Sequence, residues 1–446
     1  MNPRKCIRAV LSAIPALAMM VGPPALATDQ ASSLPARAAW PDETRGGAGG
    51  EIVLVTNLDS EGPGSLRAAL ARTGPRIVVF EVGGIIDLDR QSLEITSPHV
   101  TVAGQTAPPP GISLIRGGMA VRTHDARVQH LRIRPGSAGE RRGGNWAPDA
   151  LSTGGGAHRV VIENCSLTWA VDEVAAASGP RFGGADAAEW RRATSHDIVF
   201  RSNIIAEALS HSTHPKFEHS KGLLAHDNVT RLLIHGNLLA HNRERNPLLK
   251  GGVHAIIVNN FIYDPGSRAV HYNLLPLEWG DRPHEPGRLT AVGNVLRAGP
   301  STDAGLPFLM LGGAGDLLLH ARDNTAVDRY GDPLPARGRY TTSSARIIEH
   351  DATPSWPDGQ HPLPANEVES WVLTHAGARP WDRDAHDQRI ISNVAEGRGR
   401  IIDNEQDVGG YPQAPPSRRV FDASEWNLDT MTPRAPETLD ARVTDY

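Results

Sequence analysis

Apolar and polar positions follow a broken rhythm from Glu51 onward. An apolar run too short for a helix is followed by one or two polar residues and then by a few more apolar ones. Residues 51–56, 76–80, 83–88 and 100–104 are rich in β-branched side chains and bounded by turn formers, which predicts short strands. One helix interrupts them early. Ser65 follows the turn Ser60-Glu61-Gly62-Pro63-Gly64 and suits an N-cap, and residues 66–72 put Leu66, Ala69 and Leu70 on one face. From residue 126 the pattern repeats, over 126–133, 158–167, 197–205, 231–239, 255–262 and 289–296. Five of these units carry an Asn between the two apolar stretches, at 164, 203, 237, 260 and 294, in steps of 39, 34, 23 and 34 residues.

Irregular steps of this size indicate a solenoid whose turns carry insertions of variable length. With no helix between the strands, the prediction is an all-β chain: a right-handed parallel β-helix with a short N-terminal capping helix. The recurring Asn residues are expected to form a hydrogen-bonded ladder at one corner of successive coils. Past about residue 325 the pattern decays into a Pro-, Gly- and charge-rich tail with helix-like stretches at 367–376 and 383–394. Residues 28–325 are therefore assigned to the β-helix and 326–446 to an irregular C-terminal extension packed on its exterior. Trp356 and Trp371 serve there as packing anchors.

The first residues change the picture of where the protein works. Arg4 and Lys5, an apolar run over 9–21 and Ala25-Leu26-Ala27 form a secretory signal peptide, 1–27, which places the mature protein in the periplasm or outside the cell. No later run is long enough to span a membrane. Cys165 is then the one mature cysteine, so no intrachain disulfide forms, and it is expected to be a small core residue. Without Arg4, Lys5 and Arg8 the mature chain has 42 basic against 50 acidic residues, a net charge of −8. That balance argues against nucleic acid and acidic membranes as partners. An anionic polymer would have to bind at a local basic patch.

Such a patch lies in His241-Asn242-Arg243-Glu244-Arg245-Asn246-Pro247-Leu248-Leu249-Lys250-Gly251-Gly252, an ordered loop between two apolar strands. Arg243, Arg245 and Lys250 suit carboxylates or phosphates. With the coils in register, Lys221 and the acids Asp149, Asp172 and Glu173 fall on the same flank, because stacked strands lie about 4.8 Å apart. Two or three carboxylates could hold Ca²⁺. His211, His214 and His219 lack metal-ligand spacing, so a zinc site is not expected. Glu207 lies near the groove or serves as a buried partner.

These stretches resemble the pectate lyases of polysaccharide lyase family 1. The likeness runs through Asn57-Leu58, Gly62 to Arg67 and Val102 to Thr106, then through Asp149-Ala150-Leu151 to Asp172-Glu173, and then from Lys221-Gly222-Leu223 to Arg245 and Lys250-Gly251-Gly252. The resemblance implies a β-helix enzyme, acting as a monomer, that cleaves polygalacturonate or a related acidic polysaccharide by Ca²⁺-assisted β-elimination. It implies Arg245 as the base, and Lys221 and Lys250 as carboxylate-binding residues with Arg243 beside them. Asp149 and Asp172 become metal ligands, with Glu173 adding an oxygen where the family's further acid falls on Ala176. An arginine base implies an alkaline optimum. Two other readings remain open on the same residues: a galacturonan hydrolase using the three acids, and a carbohydrate-binding or adhesive β-helix without catalysis.

Overall fold

The computed structural model describes residues 40–41, 43–350, 356 and 361–434. The expected signal peptide, 1–27, lies outside them. Short strands form three sheets, of eleven, nine and ten strands, in which each coil adds one parallel strand to each sheet in turn; the tenth strand of the third sheet, Ser417–Arg418, comes from the C-terminal segment and pairs antiparallel with Val82–Asp87. A representative coil runs His158–Glu163 in the first sheet, Ser166–Thr168 in the third and Glu173–Ala177 in the second before returning to the first at His196–Arg201. This is the right-handed parallel β-helix. Coils continue past residue 325, to the strands Arg337–Arg339 and Ile347–Glu349.

Alternation in each strand sends one side chain in and the next out, and in-register stacking turns the inward positions into columns. One column reads Val102, Val128, Ile162, Phe200, Ile234, Ile257, Ala291. All of them are buried, and each large side chain in the column contributes about 1.5–3 kcal/mol of burial. The N-terminal end is covered by the helix Leu66–Leu70, capped by Ser65, whose hydroxyl accepts from the Ala68 N–H at 3.2 Å; Leu66, Ala69 and Leu70 face the core.

The Asn ladder is present with two changes. Each amide donates to the side-chain oxygen of the next: Asn203 to Asn237 (3.0 Å), Asn237 to Asn260 (2.9 Å), Asn260 to Asn294 (2.9 Å) and Asn294 to Asn324 (2.8 Å). Asn164 is not a rung. Its amide donates to the carbonyl of His375, and the next residue, Cys165, takes the rung position, its N–H donating to the Asn203 oxygen at 2.8 Å. The chain turns one residue earlier at Asn164, which adopts φ +49°, a left-handed conformation that Asn tolerates. Replacing Asn237 by Ala removes bonds to Phe200 and Asn260 and strands the buried Asn203 amide. Each orphaned group costs about 1–3 kcal/mol, so stability should fall by about 3 kcal/mol or more, seen as a lower denaturant midpoint at unchanged slope.

The C-terminal segment is bound to the outside of the third sheet. Helices Ala365–His375 and Ala385–Ala395 set Val368, Val372, Ile390 and Val394 against Ile204, Leu238, Phe261 and Tyr263. Trp371 packs at the edge of this cluster, and Trp356 meets Trp40 edge-on at 5.7 Å. Beneath the second helix, the fully buried Arg132 and Arg134 meet Asp384 and Asp387. Asp387 also accepts from the Ser166 hydroxyl at 2.7 Å. Asp387→Ala leaves two buried guanidinium groups short of a partner and should cost about 3–5 kcal/mol, visible as a lower melting temperature.

Candidate active site

The candidate residues are brought together along one edge of the second sheet. Asp149 stands just before Leu151–Thr153, Asp172 and Glu173 at the start of Glu173–Ala177, Lys221 at the start of Lys221–Ala225, and Arg245 just before Leu248–Lys250. Glu173 is in register with Lys221, and Lys221 with Glu244. The loop holding Arg245 is locked from below. Asn242 donates to Ile205 (2.9 Å) and Asn246 (3.1 Å), Asn246 donates to the carbonyls of Asn242 (3.1 Å) and Arg268 (3.0 Å), and His241 bonds Asp264 at 2.8 Å. Arg245 itself has φ +64°, a conformation costly for a side chain of its size and typical of functional loops. Gly222 makes room for it: a Cβ there would lie 2.5 Å from the Arg245 carbonyl.

The Arg245 guanidinium contacts the Glu173 carboxylate, and burial pushes its pKa below the ordinary arginine range. Oxygens of Asp149, Asp172 and Glu173 lie within 4.8 Å of one another. Burial, with the Asp172 charge beside it, pushes Asp149 up to about 7. Asp172 is also raised by burial, but a 2.6 Å hydrogen bond from His219 and the charges of His219 and His214 outweigh that and hold it below its usual value.

The cations are paired in a row of alternating sign. Lys221 meets Glu244 at 3.1 Å, and Glu244 meets Arg268 at 2.6 Å, whose guanidinium lies 4.3 Å over the Tyr340 ring. Arg243, at the outer rim, pairs with Glu218 at 3.3 Å. Lys250 pairs with Asp227 (3.3 Å) and with Glu278. Ala176 faces outward in register with Leu224 and Leu248, an apolar trio, so no acid stands where the family resemblance places one.

The histidines behave differently from one another. His211 pairs with Glu218 and Asp403. His214 and His219 stack at 3.8 Å, and one nitrogen of each lies with an Asp172 oxygen within 4.8 Å. The Nδ1 of His214 accepts the Lys216 N–H at 3.0 Å, and burial lowers the ring's pKa to about 4. In the neutral ring the proton then sits on Nε2, which removes the lone pair a metal would need. Glu207 is a structural partner: it accepts from Trp169 (3.0 Å) and pairs with Arg389 (2.6 Å).

Reading the sequence alone missed Glu244, Arg268, Asp227, Glu278, Arg181 and the His219 contact. A signal for two of them existed. Lys221 to Glu244 and Arg245 to Arg268 are both steps of 23 residues, the same as Asn237 to Asn260, so they occupy equivalent places one coil apart.

A probable pectate lyase C of Emericella nidulans is 29% identical over 405 residues, covering 89% of this chain and 83% of that protein. Over most of its length the chain is a homologue of proteins named probable pectate lyase C. A probable pectate lyase C of Aspergillus terreus is 28% identical over 410 residues, covering 89% of this chain and 86% of that protein. The fold is shared with jun a 1, the major allergen from cedar pollen, at a TM-score of 0.50 and 15% identity, over 75% of this chain and 90% of that one. No family model matches the chain.

Proposed function

We propose that the protein is a secreted polysaccharide lyase that cleaves polygalacturonate or a related uronan by β-elimination, with Arg245 as the base. The observation that carries this reading is a buried arginine held on a locked loop beside three converging carboxylates. A proton α to a uronate carboxylate is acidic enough to remove only when the charge of that carboxylate and of the developing enolate is offset. Lys221 and Lys250 bind substrate carboxylates and supply part of that offset, and Arg243 adds positive potential at the rim. Arg245 leaves Glu173 and takes the C5 proton, the C5–H electron pair forms the C4=C5 double bond of an unsaturated end, and the C4–O bond breaks, the departing oxygen taking a proton from water. Burial favours the neutral guanidine this requires, so activity should rise toward alkaline pH.

Asp149, Asp172 and Glu173 fit a hard cation. Their donors are all oxygens, and the burial and Asp172 charge that raise Asp149 disfavour its anion in a way that a bound cation would offset. These three residues would hold Ca²⁺, which would supply positive charge to offset a substrate carboxylate. We place the catalytic residues within 28–325, with the last coils running on to Ile347–Glu349 and the covering segment after them, the protein acting as a monomer on the acidic polymer alone, with neither nucleic acid nor membrane as partner. The expected leader and the absence, among the described residues, of any helix long and apolar enough to cross a membrane accord with work outside the cytoplasm.

Digestion of polygalacturonate followed by ultraviolet absorbance tests the reading. New absorbance from unsaturated ends is expected. Reducing ends without absorbance would instead favour a hydrolase, for which Asp149, raised to about 7, offers a proton donor. Binding without either product would leave a non-catalytic β-helix.

A further inference from the structure

The cluster around Lys250 holds more charge than one lysine needs. Asp227 is fully buried and receives four donors: Arg181 at 2.8 Å, the Trp279 indole at 2.8 Å, the Gly251 N–H at 3.0 Å and Lys250 at 3.3 Å. A carboxylate so held is a fixed part of the framework. It neutralises only one of the two cations beside it, and the second charge is met by Glu278. One oxygen of Glu278 takes both Lys250 and, at 3.0 Å, Arg181.

Glu278 is held far less firmly than Asp227. Its side chain is 31% exposed, it sits on the four-residue helix Pro276–Trp279, and its neighbour Leu277 is 96% exposed. Arg181 is anchored independently of it, through Asp227 and through its own carbonyl, which accepts from Asn228 at 2.8 Å. The two cations would therefore stay in place, with one uncompensated positive charge, if Glu278 swung away.

We propose that Arg181 and Lys250 together form a subsite for one uronate carboxylate, and that Glu278 fills it in the free protein as an internal stand-in that substrate displaces. This rests on the uronan reading above. It adds Arg181 as a specificity-determining residue and gives Glu278 the role of a competitor. An incoming carboxylate exchanges one ion pair for another, so the resident acid lowers affinity for acidic chains and rejects esterified ones, which cannot compete for the cations.

Calorimetric titration with trigalacturonate and with its methyl ester, on the whole protein, tests this apart from catalysis. Glu278→Gln should lower Kd for the acid by about fivefold and leave the ester unmoved. Adding Arg181→Met in that background should return the acid's Kd to the starting value or above. An unchanged or raised Kd in Glu278→Gln overturns the stand-in, and equal tightening of acid and ester overturns carboxylate capture. Retained tight binding in the double variant removes Arg181 from the subsite. If no unsaturated product forms from any uronan yet Glu278→Gln tightens acid binding alone, the lyase reading fails and the subsite stands.

Discussion

Arg245→Lys should lower kcat by at least about a hundredfold with little change in KM. Charge is conserved in this variant, so an electrostatic patch would barely notice it. A base must reach a particular proton, and a lysine on a backbone at φ +64° presents its nitrogen at a different point and without the planar fork that meets Glu173. Lys250→Ala is the contrast. It should raise KM, because Lys250 holds a carboxylate in ground state and transition state alike. It should also lower the melting temperature, since it takes one donor from the fully buried Asp227. Lys250→Arg should be tolerated. Steady-state kinetics on the three variants separates base from binder, and near-normal kcat in Arg245→Lys would show that the proton goes elsewhere.

Chelation should reduce activity about a hundredfold or more, and added Ca²⁺ should restore it. The expectation rests on Asp149, Asp172 and Glu173 converging within 4.8 Å, where Arg245 meets Glu173, His219 bonds Asp172 and the Glu173 N–H donates to Asp149 at 3.1 Å. A ligand that binds only the folded protein also raises its stability, by about 2.7 kcal/mol at a hundredfold excess over Kd. A Ca²⁺-dependent rise in melting temperature, lost in Asp172→Asn, is thus a readout independent of turnover. Full activity in excess chelator would mean that Lys221, Lys250 and Arg245 meet the charge alone.

Much of this architecture is legible in the residues themselves, for a local reason. Strand alternation, the Ser65 cap, the Asn spacing and the cationic loop 241–252 each depend on neighbours a few positions apart. The same locality explains the error at Asn164, where the sequence offers an Asn at the right place in the pattern but the ladder is counted from the turn, one residue later at Cys165. Contacts between coils are another matter. The link from Glu173–Ala177 to His196–Arg201 carries the helix Ala187–Ala193, whereas the links between neighbouring coils are shorter, so separation along the chain says little about separation in space.

The sequence by itself therefore determined the solenoid, the cationic loop and the acids that accompany it. Only the tertiary structure decided which charges meet: Arg245 with Glu173, Glu244 between Lys221 and Arg268, Asp227 and Glu278 around Lys250, and Arg132 and Arg134 with Asp384 and Asp387. The physical reason is that an ion pair is set by distance and burial. In a β-helix both come from the stacking of whole coils and from the tail laid over them, not from the spacing of residues within any one coil.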